Sequence, residues 1–432
     1  MKLLRRILVE VKDRVRYASL LHRCGGWAHE LRGLVTKNEA RRLSCYAKAY
    51  RMLAPLGAAS RVTRRLAPYV VDSQAIRVWR DKRIDWKRDR DERDEFEISK
   101  GLLLKPYVGP KEKGVLMISF EYNWLPLLTL ARRRALFERY AIICAPSWSP
   151  PPFPSIWSMA GIPDADVFVM QSNFQEAKWY AHLPTSVTPL PLLISHWIHS
   201  EFYQPLPHAE RDIDILMVAN WATFKRHWVL FKALKRMPDD YKIVLVGQPD
   251  SGRTMADIEA EAESFGVLDR LEIRERLGIE EVTALQCRSK TSLVFSRREG
   301  SCVVVAESMF ADCPVGLLKG AHIGSSAFVN EETGVLMEES RLAEELQSFV
   351  ARSALFSARK WATENISCIH SAAVLNESLK RQSLSKGQEW TTDVLPFMCR
   401  PNPRYLDAKN ADAMKTVYED LRVLTGLRIS GY

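Results

Sequence analysis

The stretch TSLVFSRREGSCVVVAESM, residues 291–309, decides how the fold of this chain is interpreted. Residues 291–295 are β-branched, aromatic or apolar for the most part and predict a buried strand, whereas residues 303–309 predict the first turns of a helix. Residues 299–302 therefore form a strand-to-helix turn. Because the first N–H groups of a helix have no partner within it, such a turn is a ready site for an anion.

Two carboxylates accompany this turn. Glu299 lies within it, and Glu307 follows about two helical turns later. If helical periodicity extends back to the turn, the two side chains point to the same side within roughly 20°. Backbone donors suit a phosphate and carboxylates suit hydroxyl groups, so the pattern predicts a nucleotide-sugar site. A solvated helix face can carry two glutamates at this spacing just as well. Other motifs of the chain are therefore needed to distinguish the two interpretations.

Length and composition favour a two-domain globular protein. The chain has 432 residues, of which 47% are hydrophobic, and this is too long for one ordinary core. No run of 18 or more apolar residues is present, so no membrane span is predicted. No signal peptide is evident either. The eight cysteines have no metal-ligand spacing, and we interpret them as reduced thiols of a cytoplasmic protein.

The net charge of +10 is concentrated at the N-terminus. Residues 1–70 contain 16 Lys and Arg against 4 Asp and Glu, while the rest contains 46 against 48. Within residues 3–18 the apolar side chains recur at helical spacing, with basic residues largely opposite them: Leu4, Ile7, Leu8, Val11 and Val15. This pattern predicts either a helix lying on the anionic inner face of a membrane or a helix docked on the protein body. Nucleic acid is the weaker partner, because no nucleic-acid-binding module is recognisable.

Two regions alternate strands with helices. In the first, residues 114–120, 141–145 and 166–171 predict strands, with a helix over residues 125–140. In the second, residues 213–219 and 241–246 predict strands, and residues 228–237 predict a helix. Such alternation indicates parallel sheets that are covered on both faces. The mixed-charge residues 81–97 predict a solvated helix or linker.

The loop after the strand 213–219 carries Lys225, which can supply positive charge to a leaving diphosphate. Ligands of open α/β sheets gather at the carboxyl ends of the strands. Asp212 and Asp214 stand before that strand rather than after it, so no metal site is predicted there.

In this order, the motifs resemble the retaining glycosyltransferases of GT-B fold, family 4 in particular, which are also described as glycosyl transferases group 1. Glu299 and Glu307 are similar to the family's Glu-x7-Glu pair, and Lys225, Gly247 and Thr333 with its following glycine match further motifs. The resemblance covers residues 211–350 and is weak over residues 114–200. It implies that Lys225 and Glu299 are catalytic. It also implies a set of donor-binding residues: Asn220, Lys225, Arg226, Gly247, Glu299, Gly300, Ser301, Cys302 and Glu307.

The chain departs from the family pattern at several positions. Asn220 stands where the family has an arginine, and a second glycine is missing after Gly247. Residues 120–124 replace the glycine pair after the first strand. A histidine of the first lobe is hard to place, since His182 is the only one between residues 114 and 191, and it receives no role.

The resemblance implies an α/β GT-B-like architecture of two facing Rossmann-type lobes with a cleft between them, plus a basic helical N-terminal extension. The expected divisions are an extension and linker over residues 1–110, an acceptor-side lobe over 111–204, a nucleotide-sugar lobe over 211–385, and a tail over 386–432 that packs back on the first lobe.

The expected function is a metal-independent retaining transfer of sugar from a nucleotide-diphosphate sugar to a glycan or lipid-linked acceptor, with no cofactor beyond the donor. Three alternatives stay open. An epimerase of the same fold needs a carboxylate in each lobe, and Glu121 is the candidate in the first. An inactive scaffold is favoured by Asn220 and the missing glycines, whereas Lys225, Glu299 and Glu307 argue against it. A nucleic-acid-binding protein rests on the basic first 70 residues alone.

Overall fold

A computed structural model describes residues 2–69, 73–82, 96–124, 126–129, 133–151, 156, 159, 162, 165–181, 187–400 and 402–430. His182 and most of the charged stretch 81–97 lie outside the described residues.

The described helices have the following bounds: α1 Lys2–Tyr17, α2 Ser19–Val35, α3 Glu39–Leu53, α4 Ser60–Leu66, α5 Gln74–Asp81, α6 Glu121–Trp124, α7 Arg133–Arg139, α8 Ala177–Tyr180, α9 His227–Leu234, α10 Met255–Phe265, α11 Ile279–Cys287, α12 Val303–Phe310, α13 Leu342–Ala351, α14 Ala358–Asn365, α15 Cys368–Ser385, α16 Lys409–Ala413 and α17 Lys415–Thr425. None of these helices is long and apolar enough to cross a membrane.

The described strands have the following bounds: β1 Phe96–Ile98, β2 Gly101–Lys105, β3 Gly114–Ser119, β4 Tyr140–Ala145, β5 Val167–Gln171, β6 Val187–Leu193, β7 Ile215–Val218, β8 Ile243–Gly247, β9 Leu271–Glu275, β10 Ser292–Val294, β11 Val315–Leu318, β12 Gly334–Met337, β13 Phe397–Cys399, β14 Pro403–Tyr405 and β15 Leu427–Ile429.

The chain divides into two compact units. The six-stranded unit consists of residues 1–18 and 198–367, and the five-stranded unit consists of residues 19–197 and 368–432. These divisions differ from the expected ones at both ends. The N-terminal residues are not one extension, because α1 belongs to the six-stranded unit while α2 to α5 belong to the other. The chain also joins the five-stranded unit again at Cys368, well before residue 386.

The six-stranded unit contains a fully parallel sheet in the order β12-β11-β10-β7-β8-β9. Strands β8 and β9 lie on one side of β7, and strands β10 to β12 lie on its other side. The strand order thus reverses between β7 and β10, and open α/β sheets bind ligands at such a switch point. The core lies between the sheet and its helices and includes Met217, Phe231 and Leu293, each 1% exposed or less.

The five-stranded unit contains a sheet in the order β2-β3-β4-β5-β6, in which β2 is antiparallel and the others are parallel. The predicted α/β class is confirmed in both units. The helix predicted over residues 125–140 is shorter, because the described part is a 3-10 turn, Pro126–Thr129, followed by α7. A proline restricts the residue before it and cannot donate a backbone hydrogen bond inside a helix.

The C-terminal residues complete the five-stranded unit. Strand β15 pairs in parallel with β1, so that Leu427 faces Phe96 across the ladder. The hydroxyl of Tyr405 donates a 2.6 Å hydrogen bond to the carbonyl of Leu103 in β2. These contacts join the chain end to the first strands of the same unit.

Candidate functional site

Three loops follow neighbouring strands at the carboxyl edge of the six-stranded sheet. The loop after β7 carries Asn220 and Lys225, the loop after β8 carries Asp250, and the loop after β10 carries Glu299. Since β10, β7 and β8 are adjacent and parallel, these loops meet at one edge.

The turn after β10 is held by the segment that follows β11. The N–H of Glu299 donates to the carbonyl of His322 at 2.9 Å, and the N–H of Gly324 donates to the carbonyl of Gly300 at 2.8 Å. Ser325 continues the contact, since its N–H donates to the carbonyl of Ser301 at 3.2 Å. The turn is therefore a fixed element rather than a loose loop.

Helix α12 begins only after Cys302, which has a left-handed backbone with φ of 53°. The helical periodicity therefore does not extend back to Glu299, and the geometric reason for placing Glu299 and Glu307 on one side was wrong. Burial raises the pKa of the Cys302 thiol most. Both carboxylates nevertheless lie close enough to this thiol to raise its pKa further. The thiol is thus protonated and buried at neutral pH.

Lys225 and Glu299 form the centre of the site. The ammonium Nζ of Lys225 lies 2.7 Å from Oε1 of Glu299, and the two side chains are only 14% and 8% exposed. The hydroxyl of Ser296 donates to the same carboxylate oxygen. The structure thus brings together the two residues for which the family resemblance implies a catalytic role, and it adds Ser296, which the sequence analysis missed.

The electrostatics keep Lys225 charged. Burial lowers the pKa of its ammonium, but the carboxylate of Glu299, with the help of Asp250, more than offsets this, so that the pKa lies above its ordinary value. The nearby His227 contributes no charge, because burial lowers its pKa to about 3. The site therefore offers one firmly cationic group that is shielded from water.

Asn220 does not point its amide to open space. Its Nδ2 donates to Oδ2 of Asp250, and its Oδ1 accepts a 3.4 Å hydrogen bond from the N–H of Ala222. The sequence analysis missed Asp250. This residue follows β8 by three positions, so the rule that ligands gather at the carboxyl ends of parallel strands could have indicated it. The amide and the carboxylate together form a polar pair beside Lys225.

Gly247 ends β8 where two loops come close. A Cβ at this position would lie 2.4 Å from the carbonyl oxygen of Ala219 and 2.6 Å from the ring of Trp221. The same indole donates a 2.6 Å hydrogen bond to Glu275. The glycine is thus needed for the packing of Trp221 under the β7 loop.

Arg226 has a different role from the predicted one. Its side chain is 0% exposed and forms a two-bond pair with Asp13 of α1, at 2.9 Å for each nitrogen–oxygen contact. It also pairs with Glu339 at 2.9 Å and donates to the carbonyl of Phe295 at 3.1 Å. The prediction that Arg226 binds the donor is therefore corrected, because its guanidinium is enclosed by these internal partners.

Helix α1 reinforces the same loop from outside. Arg16 donates a 2.9 Å hydrogen bond to the hydroxyl of Thr223, and Glu10 pairs with Lys232 at 2.6 Å. Val9 packs against the core of the unit. The N-terminal helix thus holds the turn that presents Lys225.

The remaining predicted donor residues lie at or near the start of α12. Gly300, Ser301 and Cys302 are buried in the turn, and Glu307 is partly buried in the second turn of the helix. The first N–H groups of α12 point back toward this turn, as at every helix start.

In the ranges given above, no group of three or more His, Cys, Asp or Glu side chains is arranged so that it could hold a metal ion. Asp212 pairs with Lys242 and with Arg288 at 2.7 Å, and Asp214 pairs with Lys290 at 2.7 Å. Both acids precede β7, at the edge of the sheet opposite to Lys225.

One known protein family and several solved structures are similar to this chain. Residues 200–364, less than half of the chain, match the model of the family described as glycosyl transferases group 1. A solved structure of sucrose-phosphate synthase from Thermosynechococcus elongatus is 17% identical to this chain, with a TM-score of 0.50. The match covers 63% of this chain and 74% of the synthase chain. HepE from Anabaena, solved with UDP, is 13% identical, covers 61% and 78%, and has a TM-score of 0.49.

No curated protein matches the chain by sequence. The matched residues span β7 to α14 and include all three loops of the site. Residues 200–364 are therefore similar to the glycosyl transferases group 1 family, in a chain with the α/β architecture of the GT-B glycosyltransferases.

Proposed function

We propose that this chain is a retaining glycosyltransferase that moves a sugar from a nucleoside-diphosphate sugar to a glycan or lipid-linked acceptor. The observation that carries the proposal is the buried pair of Lys225 and Glu299 at the switch point between β7 and β10. A lone surface lysine or a solvated glutamate would not be held in this way.

The donor diphosphate binds between Lys225 and the start of α12. An ammonium group has three N–H donors, so one can stay on Glu299 while the others bind phosphate oxygens. The amides of Gly300 to Cys302 add further donors. These groups stabilise the negative charge that grows on the leaving diphosphate, which is the main requirement of the reaction.

Glu299 accepts hydrogen bonds from hydroxyls of the sugar and fixes the anomeric carbon against the acceptor. Glu307 holds the ribose of the nucleotide. The bond between the anomeric carbon and the diphosphate oxygen breaks, and a bond to the acceptor oxygen forms on the same face. The proton of the acceptor hydroxyl passes to the leaving diphosphate.

Lys225 and the helix amides supply the positive charge in this scheme, so the transfer needs no metal ion. We expect the activity to be unchanged when the enzyme is assayed with EDTA. A loss of activity that Mg²⁺ or Mn²⁺ restores would contradict this part of the proposal.

The experiment that tests the function is an assay of the purified chain with UDP-, GDP- and ADP-sugars and a membrane lipid extract as acceptor. We expect one donor to yield a glycosylated product with retained anomeric configuration, as measured by NMR. An inverted product would contradict the retaining mechanism. No turnover and no nucleotide binding would favour an inactive scaffold.

A sugar-nucleotide epimerase is a second candidate, and Glu121 of the five-stranded unit is the reason to keep it. This carboxylate accepts hydrogen bonds from the N–H and hydroxyl of Ser147, at 3.0 and 2.8 Å. Burial raises the pKa of this carboxyl, which brings it nearer to the range in which a side chain exchanges protons at neutral pH. An epimerase would change the donor without any acceptor, and Glu121→Gln would abolish that reaction.

The acceptor and the location belong to the same proposal. The basic first 70 residues favour work at an anionic membrane surface on the cytoplasmic side, where a lipid-linked acceptor is found. Binding of RNA that falls steeply with salt, without binding to lipid, would instead support the nucleic-acid alternative.

A further inference from the structure

We infer that the six-stranded unit docks on an anionic lipid bilayer through the outer face of α1 and through a basic rim of the same unit, which consists of Lys232, Arg236 and Arg297. This inference names the surface behind the membrane location proposed above, but it does not depend on sugar transfer.

Helix α1 lies on the unit with its polar side inward. Asp13 is buried against Arg226, and Val9 packs on the core. The main apolar stripe points the other way: Ile7, Leu8, Val11 and Val15 are each between 47% and 56% exposed. An amphipathic helix that is docked only to stabilise a core would bury this stripe, so the exposed stripe indicates a further apolar partner.

Basic residues flank the stripe on both sides. At 100° per residue, Arg14 falls about 20° beyond one edge of the stripe and Lys12 about 40° beyond the other. Both side chains are exposed. An apolar stripe between two basic borders is typical of helices that lie at the boundary between lipid headgroups and acyl chains.

The lobe extends the basic border on the Arg14 side. A cavity of about 350 Å³ opens beside α1, and its lining includes Arg14, Lys232, Arg236 and Arg297 against the single carboxylate of Glu339. Glu339 pairs with Arg297 at 2.7 Å. Glu10, which pairs with Lys232 at 2.6 Å, is a second carboxylate nearby. Four basic side chains against two carboxylates still leave an excess of positive charge, which suits the phosphate group of a lipid whose chains meet the stripe.

This combination favours a bilayer over a protein or a nucleic acid. In a bilayer, the acyl chains can contact the apolar stripe while the anionic headgroups contact the basic rim. A nucleic acid has no apolar layer to cover Val11 and Val15. The described surface of α1 offers no aromatic platform within the stripe for stacked bases either.

The test is co-sedimentation of the full chain with vesicles of phosphatidylcholine alone or of phosphatidylcholine mixed with phosphatidylglycerol. We expect binding to the anionic vesicles only, with weaker binding at high salt. Val11→Asp removes apolar contact and Arg236→Glu reverses a rim charge, and each should weaken the partition by roughly fivefold or more. Both positions are exposed, so the melting temperature should not change.

Two variants of the same unit are matched controls. Leu355→Asp changes an apolar side chain that is 78% exposed but lies outside α1, and Lys360→Glu reverses an exposed charge on α14. Neither should alter the partition. Equal binding to both vesicle types, no binding, or loss of binding in the controls as large as in Val11→Asp and Arg236→Glu would each overturn the inference.

Discussion

Nζ of Lys225 lies 2.7 Å from Oε1 of Glu299, although 74 positions separate the two residues in the chain. The contact exists because β7 and β10 are neighbours in the sheet, although β8 and β9 separate them in the sequence. The left-handed backbone of Arg226, the next residue, ends the turn that presents Lys225.

Glu299→Gln should lower kcat of the transfer by about a hundredfold while the affinity for the bare nucleoside diphosphate changes little. The amide keeps the size of the side chain but loses the charge that orients sugar hydroxyls and pairs with Lys225. Steady-state kinetics and calorimetry of the nucleotide measure the two effects separately. Glu364→Gln, an exposed glutamate of the same unit, is the control and should behave as wild type.

Asp13→Ala should destabilise the six-stranded unit by about 3–5 kcal/mol, because it leaves the buried guanidinium of Arg226 without its two-bond partner. Denaturant unfolding measures this. We also expect weaker binding of the nucleoside diphosphate at a temperature where the variant is folded, since the Lys225 turn loses its support. Lys12→Ala on the exposed side of α1 is the control, and an equal effect from it would refute the role of Asp13.

Gly247→Ala should destabilise the protein by about 1–3 kcal/mol. A methyl group here meets the carbonyl of Ala219 and the ring of Trp221, and neither can move without shifting the β7 loop. Thermal unfolding measures the change. Gly109→Ala, where a Cβ meets nothing within 4 Å, should be close to neutral, and similar shifts in both variants would show that packing is not the cause.

Glu176 of the five-stranded unit should make stability depend on pH. Burial raises its pKa to about 8, although the hydroxyl of Ser149 and the N–H of Ser172 bond to the carboxyl. The unfolded group titrates near 4.5, so the folded state binds the extra proton between these values. Stability from this group is complete below about pH 4.5 and is lost as the pH rises through about 8.

Glu176→Gln replaces the protonated carboxyl by a group of similar shape that does not titrate. Its melting temperature should fall less than that of wild type between pH 5 and pH 8.5. Glu377→Gln, which changes an exposed glutamate in the same unit, should reproduce the wild-type profile. Parallel profiles for all three proteins would show that Glu176 does not carry the dependence.

The sequence predicted much of this site because its signals are local. The alternation of strands and helices placed β7, β8 and β10, and the strand-edge rule then placed Lys225 and Glu299 on one side of the sheet. The position of α1 had no such signal. It depends on a buried contact between Asp13 and Arg226 across 213 positions, and an arginine after a lysine gave no indication that it points inward.

Two local errors have backbone causes. The helix begins at Val303 as predicted, but the helical spacing of Glu299 and Glu307 was extended through Cys302, whose left-handed backbone interrupts it. The helix over residues 125–140 was drawn through Pro126, which instead begins a 3-10 turn. In both cases, a single residue outside the regular pattern decided the local structure.

The most direct test of the central claim is calorimetric titration of UDP, GDP and ADP into wild type, Lys225→Ala and, as a control, Lys235→Ala, which changes an exposed lysine just after α9. We expect one nucleotide to bind wild type and the control with equal affinity, and to bind Lys225→Ala at least about tenfold more weakly. Equal affinity for Lys225→Ala, or no binding of any nucleotide to wild type, would contradict the claim that Lys225 and Glu299 form a donor site.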